Sequence, residues 1–435
     1  MRAPSARWML GASVLATLAP FLALHSGYTA GALALLALGL RRVPRTARHW
    51  CARRRVCSGG AAAWAAAIVI MGLAWAMHIV DGGEVIWRTL GVGRSAKCFL
   101  ILPIVLALIS APLRADTLRW ACWLGAAGAG LLALHEVLVL GQERADGHTN
   151  AIQFGNLALL LGAWSAAWAL HARHAGQSVL VCAAGWLAAA LGLGASIASG
   201  SRGGWLALPL LALMLALLAA ALRALTVRRA APLLAAAAAA SLLLLALPPV
   251  HERLALVQRE WQQAGSAPLA AGTSVGLRRS FWRFAWEQGG AQPLAGIGQR
   301  GYERALAAAA KDGRLPAVAV EFNHAHNEWL DMWAKRGLLG CVALALFYAV
   351  PAVLLWSAWR RAWRQRTGYG SAANVAAAAR ATAALCGLLA VAGYLVFGAT
   401  QVMFAHNNGN MFYLLGISVW LAASGALGAG AGVQR

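Results

Sequence analysis

Long apolar runs recur along this 435-residue chain, and nothing constrains its fold more. Runs of roughly 17 to 25 residues match the ~30 Å hydrocarbon thickness of a bilayer at about 1.5 Å rise per helical residue. About twelve are present, centred near Val14, Leu35, Ile70, Val105, Leu131, Leu160, Ala188, Leu211, Ala240, Phe347, Leu389 and Leu415, the second being the shortest. In lipid every backbone N–H and C=O must be satisfied internally, which leaves helices or a closed barrel. The runs are continuous rather than alternating, and the chain is 60% hydrophobic and 12% charged. An all-α integral membrane protein of about twelve transmembrane helices is predicted.

The basic loops orient these spans. Arg2 and Arg7, the run from Arg41 to Arg55, Arg114 and Arg119, Arg223 with Arg228 and Arg229, and Arg360 to Arg366 fall on one side if every run crosses once. That side is expected to be the cytoplasm. The same bias accounts for the net charge of +23, so nucleic acid is not an expected partner. A basic start followed by apolar residues Trp8 to Leu24 has the look of a signal peptide, but it runs into a second apolar segment. A retained first span is therefore expected. None of the seven cysteines lies in the large outer loop, so no external disulfide framework is implied.

The chain divides into residues 1–249 with nine spans, a polar outer loop at 250–336, and residues 337–435 with three more spans. The loop is far longer than the other outer segments, which are Asp81 to Lys97, Gly141 to Asn150, the Ser199 to Gly204 turn and a link near His406. Three short helices are read in it, His251 to Gln263, Arg278 to Gln288 and Gly301 to Lys311, packed over the bundle.

Chemistry concentrates on this outer side. Arg202 stands in Ser199-Gly200-Ser201-Arg202-Gly203-Gly204, a small-residue junction without a neighbouring counter-charge, where an arginine faces a cavity or a bound anion. Arg278, Arg279 and Arg283 form a second cationic group, and guanidinium forks suit pyrophosphate because each donates paired hydrogen bonds and stays charged. His324 and His326 precede the apolar segment at Gly337. With an ordinary pKa of about 6.5, such an imidazole is mostly neutral and can take a proton from a hydroxyl. Asn327 beside them, and Arg144 and Asn150 in the second outer loop, are candidate substrate contacts, with Asn156 on the following span. No HExxH spacing or outer carboxylate cluster is present, so neither metal nor other cofactor is expected.

These motifs, in this order, resemble the O-antigen ligase and polymerase superfamily of bacterial envelope proteins. His326-Asn327, then nine residues, then Gly337-x-x-Gly340 matches the histidine motif of that family. Ser201-Arg202-Gly203 is similar to its earlier arginine signature, and Arg278 before Trp282, followed by Pro293-Leu294-x-Gly296-x-Gly298, to its loop signature. The resemblance implies a periplasmic-face glycosyltransferase of the inner membrane. Its donor would be a glycan on undecaprenyl pyrophosphate, and in the ligase branch its acceptor would be the lipid A core, giving lipopolysaccharide. It further implies metal-independent inversion, with Arg202 and Arg278 on pyrophosphate and His326 as base; Arg279 adjoins Arg278 where the family shows one arginine. A polymerase would use the same donor, and the compact size and single dominant loop favour the ligase. A lipid-linked glycan flippase would share the helices and interior arginines but would not need an 87-residue loop ending in a histidine motif.

Overall fold

The computed structural model describes residues 6–44, 59–81, 84–85, 92–222, 274–365 and 371–428. Its long helices are α1 (Ala6–Leu18), α2 (Thr29–Leu40), α3 (Gly59–Ala76), α4 (Val92–Leu108), α5 (Ala115–Leu134), α6 (Ala151–His174), α7 (Val179–Ala198), the single turn α8 (Arg202–Trp205), and α9 (Leu208–Ala221). After them come α10 (Ser274–Ala291), α11 (Gly298–Lys311), α12 (Glu328–Arg364), α13 (Ala372–Gly398) and α14 (Asn407–Ala423). A two-residue ladder pairs Val80–Asp81 with Glu84–Val85. The protein is otherwise helical among the described residues.

Eleven of the twelve predicted span centres fall inside these helices, and Ala240 lies outside the described residues. Six described segments are long and apolar enough to cross a membrane: Gly59–Ala76, Ala115–Val139, Val179–Ala198, Arg202–Ala221, Glu328–Arg364 and Ala372–Gly398. The protein is a multi-pass membrane protein.

The middle of the bundle explains why α6 reads as less apolar than its neighbours. From Gln153 to Ala172 it is buried on every face, as is α14 from Gly409 to Ala422, so neither offers lipid a stripe of its own. Aromatic rings fill the space between them. Trp164 stacks on Phe412 at 4.9 Å and meets Trp420 edge-on at 5.0 Å, and its indole N–H donates to the Cys386 carbonyl at 2.8 Å. Tyr413 donates to the Phe347 carbonyl at 3.0 Å, fixing α14 to α12. Buried aromatics that satisfy their polar handle this way specify one packing rather than many.

Of the three predicted loop helices, His251 to Gln263 lies outside the described residues, and the other two appear as α10 and α11. They have a small core of their own. Phe281, Phe284 and Ala285 of α10 meet Tyr302, Leu306 and Ala309 of α11, residues that share one face at i, i+4 and i+7. This cap docks on α12 at a break. Gly337 has φ +59 and ψ −153 inside the helix, which frees the amides that follow. Leu338 N–H donates to the Pro293 carbonyl at 2.7 Å and Leu339 N–H to the Leu294 carbonyl at 3.2 Å, while Ile297 N–H donates to the Ala334 carbonyl at 2.9 Å. A Cβ at Gly337 would lie 2.5 Å from the Pro293 carbonyl oxygen, and one at Gly296 (φ +67) would collide with the Arg336 amide. The glycine-rich loop signature and the glycine that follows the histidine motif are thus two halves of one backbone joint.

Candidate functional site

His326 sits where the cap meets the bundle. Its backbone is left-handed, with φ +51, a conformation costing a non-glycine residue on the order of 1 to 3 kcal/mol unless its surroundings impose it. Those surroundings are specific. Asn327 caps α12, its side-chain oxygen accepting from the Trp329 and Leu330 amides at 3.0 and 3.1 Å while its amide nitrogen donates to the Ala399 carbonyl at 3.1 Å. The Asp331 carboxylate accepts from the Ala325 amide at 3.1 Å, pinning the chain just before the histidine.

Three imidazoles cluster there. The His324 and His326 rings are 4.4 Å apart and perpendicular, and His406, in the link between α13 and α14, lies 5.7 Å from His324. Phe281 stacks on His326 at 5.6 Å and Phe322 meets it edge-on at 5.1 Å. Burial in this aromatic pocket, followed by the nearby positive charge of Arg278, pushes the His326 pKa down to about 4, with a side-chain hydrogen bond to Gln401 opposing. Burial also drives His324 well below its ordinary value, and takes His406 to about 4 with Arg94 adding to the effect. The rings are neutral at pH 7, and His326 Nδ1 is buried without a hydrogen-bond partner. Among the described residues no group of three or more His, Cys, Asp or Glu side chains is arranged to hold a metal ion.

The arginines approach from two elements. Arg278, on α10, is close enough to His326 to be the largest influence of any charge on it, after burial. Arg202 opens α8 with an exposed side chain. The α8 turn presses on the link that carries Gln401, since a Cβ at Gly203 would lie 2.6 Å from the Thr400 hydroxyl oxygen. One short link, residues 399–406, therefore joins the arginine turn to all three histidines.

The other sequence candidates divide. Arg279 is exposed next to Arg278. Arg283 is 77% exposed and pairs with Glu287 at 2.9 Å on the outside of α10. Arg144 donates through Nε to the Ser199 carbonyl at 2.8 Å, bracing the turn before Arg202. Asn150 caps α6 through the Gln153 amide at 2.9 Å and lies 3.4 Å from His406. Asn156 accepts from the Ser201 hydroxyl at 3.3 Å. Asn327, Arg144, Asn150 and Asn156 are thus engaged in holding the site's backbone.

A second, buried layer of charge lies behind the histidines, with no local pattern in the sequence to mark it. Glu328 accepts from the Phe404 amide at 3.1 Å and so holds the histidine link against α12. Asp331 and Lys335 form an ion pair of 2.6 Å whose side chains are 2% and 1% exposed, and Lys335 also donates to the Asn323 carbonyl at 2.7 Å. Arg336 donates to the Ala74 carbonyl at 2.9 Å, and buried Arg94 lies over the Trp75 ring at 5.3 Å. Gln401 and His406, in the link near His406, belong to no local pattern that would mark them as site residues.

Comparison with known proteins converges on the same region. The family model described as O-antigen ligase matches residues 187–345, a stretch that contains Arg202, Arg278 and His326. A Haemophilus influenzae protein described as uncharacterized is 25% identical over 346 residues, covering 74% of this chain and 77% of its own length. The family match supports a ligase- or polymerase-type role in glycan assembly with lipid-linked substrates. The histidine and arginine motifs all lie inside the matched stretch, so in the region that carries them the chain is similar to the O-antigen ligase family.

Proposed function

We propose that this protein is an O-antigen ligase, an inverting glycosyltransferase that moves a polysaccharide from undecaprenyl pyrophosphate to a sugar hydroxyl of the lipid A core. The observation that carries this reading is the convergence of neutral His326, cationic Arg278 and the Arg202 turn around one link. The acceptor oxygen attacks the anomeric carbon and the bond to the pyrophosphate oxygen breaks. The hydroxyl proton passes to the His326 imidazole, and the leaving pyrophosphate keeps the electron pair. Charge builds on the leaving group, and preplaced guanidinium forks stabilise it without a divalent metal. The distribution of basic loops supports an inner-membrane location with this site on the periplasmic face.

Arg278 couples the two halves of the reaction. In the empty site its charge lowers the basicity of His326. A bound pyrophosphate compensates that charge, so the base strengthens when the donor arrives.

Arg202→Ala and Arg278→Ala are each expected to lower transfer by roughly 10²- to 10³-fold, the loss typical of one oxyanion-stabilising donor. Lysine should restore only part, being a point charge rather than a fork. The check is product formed per mole of monodisperse protein. Near-normal transfer by either alanine variant would remove that arginine from the site.

A further inference from the structure

A groove of about 640 Å³ opens at the other end of the bundle, between α9, α12 and α13, far along the chain from the histidines. Its wall is apolar, with Met214 and Leu217 on one side, Trp356 and Trp359 on the other, and Leu388 at its inner end. Its mouth is cationic, formed by Arg360 and Arg364. Both arginines are exposed and lie four residues apart on one helix face, where like charges repel. Among the described residues neither is in an ion pair with a carboxylate; Asp331 is the last Asp or Glu in the sequence, and α9 contains none. From Arg364 back to Trp356 the helix rises about 12 Å, close to half of the ~30 Å hydrocarbon thickness. The groove therefore has a cationic rim and one leaflet's depth of apolar wall.

We propose that this groove is a binding site for an anionic phospholipid of the leaflet on the arginine-rich side, its phosphate held between Arg360 and Arg364 and an acyl chain lying along Trp356 and Leu217. Trp363, stacked on Trp359 at 6.1 Å, stands at the level where amphipathic aromatics settle between headgroup and hydrocarbon. The site is independent of the transfer chemistry, and its test reads lipid rather than product.

Full-length protein in detergent is titrated with phosphatidylglycerol and, separately, phosphatidylcholine, and bound lipid is counted by native mass spectrometry. Phosphatidylglycerol is expected to bind at least tenfold more tightly than phosphatidylcholine. That preference should disappear in the Arg360→Gln, Arg364→Gln double variant, and Ala221→Trp, which fills the groove, should abolish retention. Transfer activity of each variant verifies that it is folded. Equal retention of both lipids, or phosphatidylglycerol retention unchanged in the double variant, would overturn the proposal. So would displacement by millimolar inorganic phosphate, which marks an ion site, or the absence of any bound lipid, which would mean that the groove is filled by the chain's own residues.

Discussion

His326→Ala is expected to lose roughly 10²- to 10⁴-fold in turnover while still binding the lipid pyrophosphate donor, because proton removal rests on the imidazole and anion binding on the arginines. The pH profile of the wild-type protein carries the same claim. Burial and Arg278 hold the His326 pKa down to about 4. The neutral, proton-accepting form therefore persists far below the ordinary value of about 6.5, and kcat/KM should stay flat through pH 6 and fall only as pH drops towards 4. In the donor complex the pyrophosphate offsets Arg278, so the fall in kcat should occur at higher pH than the fall in kcat/KM. Unchanged turnover in His326→Ala at matched folded protein would end the base assignment and move attention to His324. A kcat/KM fall centred near 6.5 would show instead that the base is not held in this desolvated setting. The same burial makes stability pH-dependent: it is full above about 6.5, where the unfolded rings are neutral too, and is lost as pH falls through the window down towards 4.

Asp331→Ala is expected to cost about 3 to 5 kcal/mol, because it strands the Lys335 ammonium, only 1% exposed, without its carboxylate. That is a large share of the ~5 to 15 kcal/mol that holds a typical protein together. The thermal midpoint of the detergent-solubilised protein should drop sharply, and the fraction eluting as a single species with it. Replacing both partners, as Asp331→Leu with Lys335→Met, should recover most of the stability, since a buried ion pair contributes little over well-packed apolar side chains. Transfer should remain impaired in that double variant. Asp331 also accepts from the Ala325 amide and Lys335 donates to the Asn323 carbonyl, and both bonds shape the backbone that presents His326. A single variant with an unshifted midpoint would show that the pair is solvated rather than sealed.

The elements legible in the sequence were those with a local signal. Continuous apolar runs marked the helices through Ile70, Leu160 and Phe347, and the helical stretch expected over Gly301 to Lys311 corresponds to α11. Motif spacing singled out Arg202, Arg278 and His326. What stayed hidden depends on partners distant in sequence. His406 and Gln401 reach His326 only because α13 and α14 are joined at the same end of the bundle, and a short link between apolar segments carries no pattern of its own. The docking of Pro293 and Leu294 into the α12 break is made of backbone hydrogen bonds, which leave no periodicity to read. Asn327 and Asn150 have a structural role that the sequence also allowed: each is a polar residue ahead of an apolar run, the position of a helix N-cap. Arg94, Glu328 and Lys335 lie next to polar segments in the sequence, and only the packed bundle places them inside.

The most direct measurement is transfer by the purified full-length protein, supplied with an undecaprenyl-pyrophosphate-linked glycan and lipid A core in excess EDTA. The core is expected to gain the glycan through an inverted glycosidic bond, with one undecaprenyl pyrophosphate released per bond and no divalent ion required. Activity that vanishes in chelator and returns with added metal would contradict it. So would lengthening of the lipid-linked glycan with the core left unmodified, or the absence of any new glycosidic bond.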